Sequence, residues 1–298
     1  MLSQTQLAKF AVAKKKEMED IKYPESCIKV LDKGFVRLVD VMGNDDSIVQ
    51  AARVSYGKGT KQVSEDRGLI RYLMRHHHMT PFEMVEFKFQ MRLPIFVARQ
   101  LIRHRTANVN EYSLRYSDFQ DMFHVPDEKD ITKQSTSNRQ GGSDELLENT
   151  NFWHIRMQQD QKNALKSYDD YMKADMRKEL ARGVLPVSAY TEWYWKCDLR
   201  NIFGFLFLRL DSHAQYEIRV FAQAMAEYVK KQCPVAYEAF EDYHQNAVTL
   251  SSLEVKAIQR LARNKEDVEG NKKFLDELFT NKRERLEFDE KVKKVLNE

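Results

Sequence analysis

The sequence predicts a protein of the mixed α/β (α+β) class, with a central β-sheet and long helices. The chain has 298 residues, 42% of them hydrophobic, which is enough for a substantial core in one large domain or two smaller ones. The segment VEFKFQMRLP alternates apolar and polar residues and predicts a strand ending at Pro94. A helical pattern from about Arg200 to Gln232 predicts a long helix that ends at Cys233-Pro234.

Charge and cysteine content limit the function classes. Lys and Arg number 48 and Asp and Glu 45, so the net charge of +3 argues against a protein that binds polyanions by bulk charge. No apolar run reaches the length of a membrane span, and the first residues contain no hydrophobic signal core. The three cysteines have no paired spacing, which argues against a disulfide framework or a zinc motif and predicts a protein of the cytoplasm or another reducing compartment; of these we expect the cytoplasm.

The first part of the chain predicts a helix, a hairpin and two further helices. Residues 1–28 form a short charged helix in this interpretation, and β-favouring residues around Gly34 predict a strand or hairpin. An Asp/Ser cap signal begins a helix over residues 46–56. A second helix begins near Ser64 and stops before Thr80-Pro81, because a residue that precedes proline disfavours helical geometry.

The remaining elements are a short helix, an insertion, a long helical region and a charged tail. IFVARQLI predicts a short helix, and the polar residues 128–150 predict a flexible surface insertion. Residues 152–182 are helical in pattern. The last 48 residues carry 12 Lys and Arg against 11 Asp and Glu, which predicts a helical, ion-paired tail rather than a nucleic-acid-binding arm.

The stretch from Arg103 to Tyr116 is rich in arginine and contains no lysine. Arginine without lysine favours bidentate recognition of a phosphate or of a carbonyl-rich ring. In an extended segment, Arg103 and Arg105 would share one face and His104 the other, so the segment could contact two ligands. The alternative is a surface ion-pair network.

This stretch resembles the signature of the flavin-dependent thymidylate synthases, in which RHR is followed after seven residues by Ser113. The segments KGFVRLVDVMGND, AARVSY, YLMRHHHMTPFE, PIFVARQ, LPVSAYTEWYW and LRLDSHAQYEIR also look like blocks of that family, in family order. Together they cover roughly residues 29–240. The resemblance implies one domain over residues 29–245, flanked by extensions at 1–28 and 246–298. It also implies a homotetramer with active sites where subunits meet, and no nucleic-acid or membrane partner.

The resemblance implies that the protein makes dTMP from dUMP. 5,10-Methylenetetrahydrofolate would supply the carbon, reduced FAD the hydride, and NADPH would reduce the flavin. The flavin route needs no protein nucleophile. This agrees with the sequence, because none of Cys27, Cys197 and Cys233 has a neighbouring His or Arg to activate its thiol.

The family pattern assigns Arg209 as the catalytic cation that promotes ionisation at N3 of dUMP, since a fixed cation stabilises negative charge that develops on the ring. On one continuous helix Arg209 would share a face with Ser212, His213 and Tyr216. The alternative is that Arg209 pairs with Asp211 or Glu217 on the surface. For His213 we favour a structural role as a hydrogen-bonded histidine at a helix contact.

The same pattern implies two sets of binding residues. Arg115 and Arg182 are the natural phosphate partners, and Ser113 positions the nucleotide, because no adjacent base is visible that would make it a nucleophile. The dUMP set is Gln100, Arg103, Glu111, Ser113, Leu114, Arg115, Arg182 and Arg209. The FAD set is His78, Thr80, Glu83, Arg103, His104, Arg105, Glu111, Asp198, Arg200 and Gly204.

Three positions depart from the family pattern, and two other functions remain open. Asn108 stands where many members have serine, Asp198 where some have asparagine, and Gly204 where a larger polar residue is common. We predict no metal site, because the consecutive histidines 76–78 diverge on a helix. The alternatives are a nucleotide hydroxymethylase, which omits the final reduction, and a nucleic-acid-binding protein that uses the arginine motif and its tyrosines.

Overall fold

The computed structural model describes residues 21–54, 63–135 and 141–296. Residues up to Phe240 form one compact unit, and residues from Glu241 onward form a second. The predicted N-terminal helix lies outside the described residues except for 21–27, which are not helical. No helix in the described part of the chain is long and apolar enough to cross a membrane.

The first unit is built on a five-stranded antiparallel sheet, which confirms the predicted mixed α/β class. The strand order is β1-β2-β3-β7-β4, and β5 and β6 form a separate two-stranded sheet. The strands are β1 (Ile28–Val30), β2 (Gly34–Met42), β3 (Glu86–Pro94), β4 (Asn108–Glu111), β5 (Thr132–Gln134), β6 (Gly142–Leu146) and β7 (Tyr190–Asp198).

The helices of the first unit surround this sheet, and those of the second unit follow Phe240. Short 3-10 turns occupy Thr80–Met84, Glu128–Asp130 and Arg182–Val184. The helices are α1 (Asp45–Arg53), α2 (Val63–Arg75), α3 (Ile95–Leu101), α4 (Thr150–Lys173), α5 (Lys178–Ala181), α6 (Leu199–Arg209), α7 (Tyr216–Gln232), α8 (Pro234–Phe240), α9 (Ser252–Arg263), α10 (Val268–Leu278) and α11 (Lys282–Leu296).

The core lies between the sheet and the helices α3, α6 and α7. Alternate residues of β3 are buried, as its period of two predicts, and Phe89 contacts both Trp195 and Tyr228 at ring-centroid distances of 6.3 Å and 6.0 Å. Trp195 in turn contacts Phe205 of α6 at 6.1 Å. This packing fixes the end of α6 relative to the end of α3, which positions the candidate site.

The predicted helix over 200–232 is wrong in one respect, because it is two helices, α6 and α7. Residues 210–215 form a turn in which the Asp211 side chain accepts a hydrogen bond from the backbone N–H of His213 at 2.7 Å. A short acidic side chain that bonds the backbone two residues later favours a turn over a helix. The predicted common helix face therefore does not exist for Arg209, Ser212, His213 and Tyr216.

Three other features differ from the prediction, whereas α2 ends at Arg75, before Thr80-Pro81 as expected, and His77 beyond it has a left-handed φ of 57°. The cap of α1 is Asn44, whose side chain bonds the N–H of Ser47. The helical region 152–182 breaks after Lys173. The insertion at 128–150 forms the β5–β6 hairpin in its described part, rather than an unstructured loop.

The second unit contains three helices with their own small core. Ala257, Leu275, Phe279 and Phe288 are buried together. Lys291 on α11 donates a hydrogen bond to the buried carboxylate of Glu254 at 2.7 Å, so α9 and α11 are joined by an ion pair.

Candidate active site

A cavity of about 650 Å³ lies between α3, the segment that follows β4 and the 3-10 turn Arg182–Val184. Its lining includes four residues of the predicted dUMP set, namely Glu111, Ser113, Leu114 and Arg182. These residues are separated by up to about seventy positions in the sequence and are brought together because β4 pairs with β7. The structure therefore groups half of the predicted substrate residues around one cavity.

Tyr190 forms part of the cavity wall and is held there by a buried polar cluster. Its hydroxyl donates to Asp32 at 2.7 Å, and Asp32 also contacts Nδ1 of the buried His124 at 2.6 Å. Burial by itself would raise the pKa of Asp32, but the hydrogen bond and charge of His124, with help from Tyr190 and Lys33, lower it below its usual value. The charged carboxylate of Asp32 thus holds Tyr190 in place in one wall of the cavity.

The other predicted phosphate ligand, Arg115, is exposed and forms an ion pair with Glu179 at 3.3 Å. Arg182 is exposed and has no carboxylate partner among the described residues. Arg92 also lines the cavity, but it is buried, paired with Glu192 at 3.3 Å and bonded to the backbone oxygen of Lys22. Arg92 is therefore a structural residue.

The predicted catalytic cation, Arg209, lies at the end of α6 and contacts His104. Its Nε donates to Nε2 of His104 at 3.3 Å. Burial, and then the charge of Arg209, lowers the pKa of His104 below its usual 6.5, and burial also lowers the pKa of Arg209. His104 is therefore held neutral, with Nε2 free to accept the hydrogen bond.

The alternative that Arg209 forms a surface ion pair is wrong. Asp211 bonds His213 instead, and Glu217 accepts from Gln215 at 2.8 Å. In the described part of the chain, Arg209 has no carboxylate partner. His213 is exposed and lies in the turn between α6 and α7, so it is not at a helix contact either.

The RHR segment is a turn after α3, not an extended strand. Arg103 and Arg105 are nevertheless exposed while His104 is half-buried, so the two kinds of side chain do face different surroundings. Neither arginine has an acidic partner within the ranges that the structure describes, so the ion-pair alternative fails for these two and applies only to Arg115, which is paired with Glu179. Gln100, on α3, donates a hydrogen bond to Gln215 in the turn that precedes α7.

Residues of the predicted FAD set lie near the start of α6 and in the turn before β3. Arg200 forms an ion pair with Glu83, and both are partly exposed. Asp198 caps α6 by accepting from the N–H of Asn201 at 3.0 Å, a role that asparagine could also fill. Gly204 is exposed on the same helix. His78 and Thr80 are also exposed, but they lie in the turn before β3.

The described hydrogen bonds and ion pairs do not join all of these residues to one another. They fall into three groups that share no hydrogen bond among the described residues: the cavity group, the Arg209–His104 pair with Gln100 nearby in sequence, and the Glu83–Arg200 group. Among residues 21–54, 63–135 and 141–296 no cluster of His, Cys, Asp and Glu could hold a metal ion. Histidines 76–78 are exposed and lie directly after α2, the first two of them in a turn.

Two of the three cysteines, Cys197 and Cys233, are not placed or activated for nucleophilic attack. All three are free thiols, and Cys197 and Cys233 are buried. Burial, with a contribution from Asp198, raises the pKa of Cys197 to about 12, and burial with Asp45 raises the pKa of Cys233 as well. Such thiols are protonated at neutral pH and are poor nucleophiles.

Sequence analysis missed Arg99 and Tyr190 as cavity residues. Arg99 lies one turn after Ile95 on α3, and both line the cavity. Helical spacing in IFVARQL could have placed Arg99 on a different face from Gln100. Tyr190 could not have been found in this way, because its partner Asp32 is 158 residues away in the sequence.

The chain is similar to several characterised proteins. Residues 37–235 match the Thy1 family, described as "Thymidylate synthase complementing protein". The chain is 51% identical over 247 residues to a flavin-dependent thymidylate synthase of Wolbachia pipientis wMel, covering 83% of this chain and 86% of that protein. It is 49% identical over 274 residues to one of Dictyostelium discoideum, covering 89% and 86%.

A solved structure shares the fold. The UMP/dUMP methylase PolB from Streptomyces cacaoi, bound with 5-Br dUMP, has a TM-score of 0.67 and 33% identity to this chain, covering 73% of this chain and 99% of that one. Fold, cavity and relatives together define an α/β enzyme of the methyltransferase class. Within that class, the chain belongs to the flavin-dependent thymidylate synthase family, as its arginine motif predicts.

Proposed function

We propose that this protein catalyses the reductive methylation of dUMP to dTMP, with 5,10-methylenetetrahydrofolate as the carbon donor and NADPH as the reductant of FAD. The observation that carries the proposal is the half-buried guanidinium of Arg209, which contacts a neutral histidine and no carboxylate in the described residues. Such a cation keeps its full charge for a ligand. It can stabilise negative charge at N3 of the uracil ring while C5 attacks the one-carbon unit.

The cavity supplies groups suited to the rest of the nucleotide. Arg182 in the cavity wall, and Arg115, whose ion-pair partner Glu179 lines the cavity, offer planar guanidinium donors to the phosphate, and Ser113 offers a hydroxyl that positions it. Glu111, whose carboxylate accepts from Thr191 at 2.6 Å, can accept further hydrogen bonds from a ligand. Leu114 gives the site an apolar surface. Gln100 and Arg103 complete the dUMP set at the end of α3.

The FAD set fits a dinucleotide with a diphosphate. Arg103 and Arg105 are exposed guanidinium groups without acidic partners in the described part, as a diphosphate requires. When bound, reduced FAD supplies the hydride that completes the methyl group. The chain's own groups bind and orient it, namely His78, Thr80, Glu83, Arg103, His104, Arg105, Glu111, Asp198, Arg200 and Gly204.

A homotetramer would bring the three groups together. Support comes from the lack of hydrogen bonds between these groups in the described part of the chain and from apolar side chains next to Arg209 and His104 in the sequence. Ile102, Phe207 and Leu208 are 49%, 51% and 55% exposed, which is unusual for large apolar residues in such a cluster. Burying them against a second copy would complete the site. The domain over residues 29–245 and a cytoplasmic location stay predictions.

The test is an anaerobic reaction of the full chain with dUMP, methylenetetrahydrofolate and NADPH, with and without FAD, and products identified by mass spectrometry. We expect dTMP only when FAD is present. A hydroxymethylated product would instead establish the hydroxymethylase alternative. Nucleic-acid binding by a flavin-free protein without product would favour the third function.

Two variants then separate the roles of the arginines. Arg209→Ala should abolish turnover and retain FAD, whereas Arg105→Ala should weaken FAD retention. Arg156→Ala is the matched control, because Arg156 is exposed on α4 in an ion pair with Asp160 and should change neither property. Equal FAD loss in the Arg209 and Arg105 variants would contradict this division of roles.

A further inference from the structure

Two side chains outside the predicted binding sets hold Gln100 of the dUMP set. Gln215, in the turn before α7, accepts a hydrogen bond from Nε2 of Gln100 with its Oε1. Its own Nε2 donates to Oε2 of Glu217, in the first turn of α7, at 2.8 Å. The three side chains therefore form a continuous chain of hydrogen bonds from α7 to α3.

The carboxylate of Glu217 fixes the direction of this chain. A carboxylate can only accept hydrogen bonds, whereas the amide of glutamine has a donating NH2 group and an accepting oxygen. Gln215 must therefore turn its NH2 group to Glu217 and its oxygen to Gln100. Gln100 then gives its NH2 group to Gln215, so its own oxygen, Oε1, stays available to accept a hydrogen bond from a ligand.

No basic side chain in the described ranges competes with Gln215 for Glu217. Arg219, two residues further along α7, donates instead to the backbone oxygen of Ser212 at 2.6 Å. Oε1 of Gln100 likewise has no hydrogen-bond donor in the described part of the chain. Glu217 therefore acts on Gln215, and through it on Gln100.

The chain reaches the same part of the molecule as the Arg209–His104 pair. Gln100 is half-buried on α3, four residues before His104, and Gln215 is the last residue of the turn that follows Arg209. The bond from Arg209 to His104 and the bond from Gln100 to Gln215 both join the end of α3 to this region. The orientation of the Gln100 amide is thus set beside the proposed catalytic cation.

We propose that Glu217 is a positioning residue that acts through Gln215 and makes Gln100 present its carbonyl oxygen to a hydrogen-bond donor of dUMP. The proposal rests on the proposed function and deepens it, because it names residues that select the substrate through Gln100. Apart from its phosphate, dUMP has two donors, the N3–H of the uracil ring and the 3′-hydroxyl of the sugar. Either would satisfy the same oxygen, and the experiment distinguishes them.

The experiment uses the full-length, FAD-loaded enzyme and its Glu217→Gln and Glu217→Lys variants. A lysine can only donate, so it would reverse both amides and make Gln100 present its NH2 group, whereas a glutamine leaves the direction unset. Glu227→Gln and Glu227→Lys are the matched controls, because Glu227 is exposed on the same helix and undergoes the same changes of charge. Circular dichroism and thermal unfolding check that each variant is folded.

We measure kcat and KM for dUMP and the inhibition constants of two analogues against it. 2′,3′-Dideoxyuridine 5′-monophosphate lacks the 3′-hydroxyl, and N3-methyl-dUMP lacks the ring N–H. Glu217→Lys should raise KM for dUMP by about 3- to 10-fold, the range expected for one hydrogen bond, and change kcat less. The preference for dUMP over one of the two analogues should fall by the same factor, which identifies the donor.

The other variants test whether Glu217 acts through Gln100. Glu217→Gln should raise KM by only about 2-fold, because about half of the amides keep the required direction. Gln100→Leu should also raise KM, and adding Glu217→Lys to it should cause no further rise, because the two residues belong to one chain of hydrogen bonds. The Glu227 variants should behave as the wild type.

An unchanged KM for dUMP in a folded Glu217→Lys variant would overturn the proposal. Unchanged preferences over both analogues, or losses that add in the double variant, would also overturn it, because Glu217 would then act independently of Gln100. If the wild-type protein makes no dTMP, the proposed function fails, while calorimetry with dUMP and the two analogues still measures the effect of Glu217 on binding. The two failures are therefore distinguishable.

Discussion

Gly204 lies in the middle of α6, where replacing it with alanine should stabilise the protein. The residue is exposed, and a Cβ built on it meets no heavy atom within 4 Å. Alanine in a helix interior is more favourable than glycine by about 0.8–1 kcal/mol, because glycine loses more backbone entropy on folding. No steric term offsets this gain in the described structure.

The expected size of the effect can be measured by thermal unfolding. For a unit of about 200 residues, 1 kcal/mol corresponds to a rise in Tm of about 2–4 °C. Gly68 provides a matched control, because it also lies inside a helix, α2, is exposed, and has open space around it. We expect Gly204→Ala and Gly68→Ala to raise the Tm of the flavin-free protein by similar amounts.

Larger substitutions at the two positions should differ in their effect on FAD. Gly204 is in the proposed FAD set, at a position where the family pattern commonly has a larger polar residue, so Gly204→Asn should strengthen FAD retention, measured by flavin absorbance after gel filtration, whereas Gly68→Asn should not. A lower Tm for the flavin-free Gly204→Ala variant alone would refute the packing argument, since it would mean that the position is covered in solution. Equal flavin retention in both asparagine variants would remove Gly204 from the FAD set.

Three further predictions concern the His104–Arg209 pair, the buried hydrogen bond from Tyr190 to Asp32, and the Cys197 thiol. As pH falls through the lowered pKa of His104, the imidazole protonates and repels Arg209. The acidic limb of the pH profile of kcat should therefore lie below pH 6.5. This limb should disappear in any residual activity of the His104→Gln variant. If the acidic limb is unchanged in that variant, another group is responsible for it. Tyr190→Phe removes the donor to Asp32 and should cost about 1–3 kcal/mol in urea unfolding. Because the folded pKa of Asp32 is lowered, its contribution to stability is present above pH 3.8 and is lost as pH falls below it, so the cost should shrink in acid. Cys197→Ala should keep kcat within about 2-fold, as expected for a buried thiol with a pKa of about 12; loss of turnover in a folded variant would reopen the case for a protein nucleophile.

Local patterns were sufficient for several elements. The alternation in β3 predicted the strand, its end at Pro94 and the burial of Phe87, Phe89 and Met91, because a strand with one face on the core must repeat every two residues. Arg92 and Pro94 are buried as well, which the alternation did not predict. The end of α7 at Cys233 followed from Pro234, which has no N–H to continue the helix. The arginine motif predicted the family, and the structure places Glu111, Ser113 and Leu114 of that motif around one cavity.

Other features depended on interactions that no local pattern contains. Apolar residues at helical spacing lie on both sides of residues 210–215, so the pattern predicted one helix where the Asp211 side chain forms a turn. The polar insertion looked unstructured, yet its ends pair as the hairpin β5–β6. In both cases hydrogen bonds outweighed the propensity that the sequence pattern expressed.

The sequence by itself determined the fold class, the family and the types of side chain in the site, because strand periodicity and a spaced arginine motif are properties of short segments. Tertiary structure alone decided what those side chains do. It brings Arg209 to His104 across 105 residues, where burial and then the charge of Arg209 lower the pKa of His104. It also pairs Arg115 with Glu179 and places Arg99 in the cavity wall. Charge balance and pKa depend on distances between segments that are remote in the chain, and only folding sets those distances.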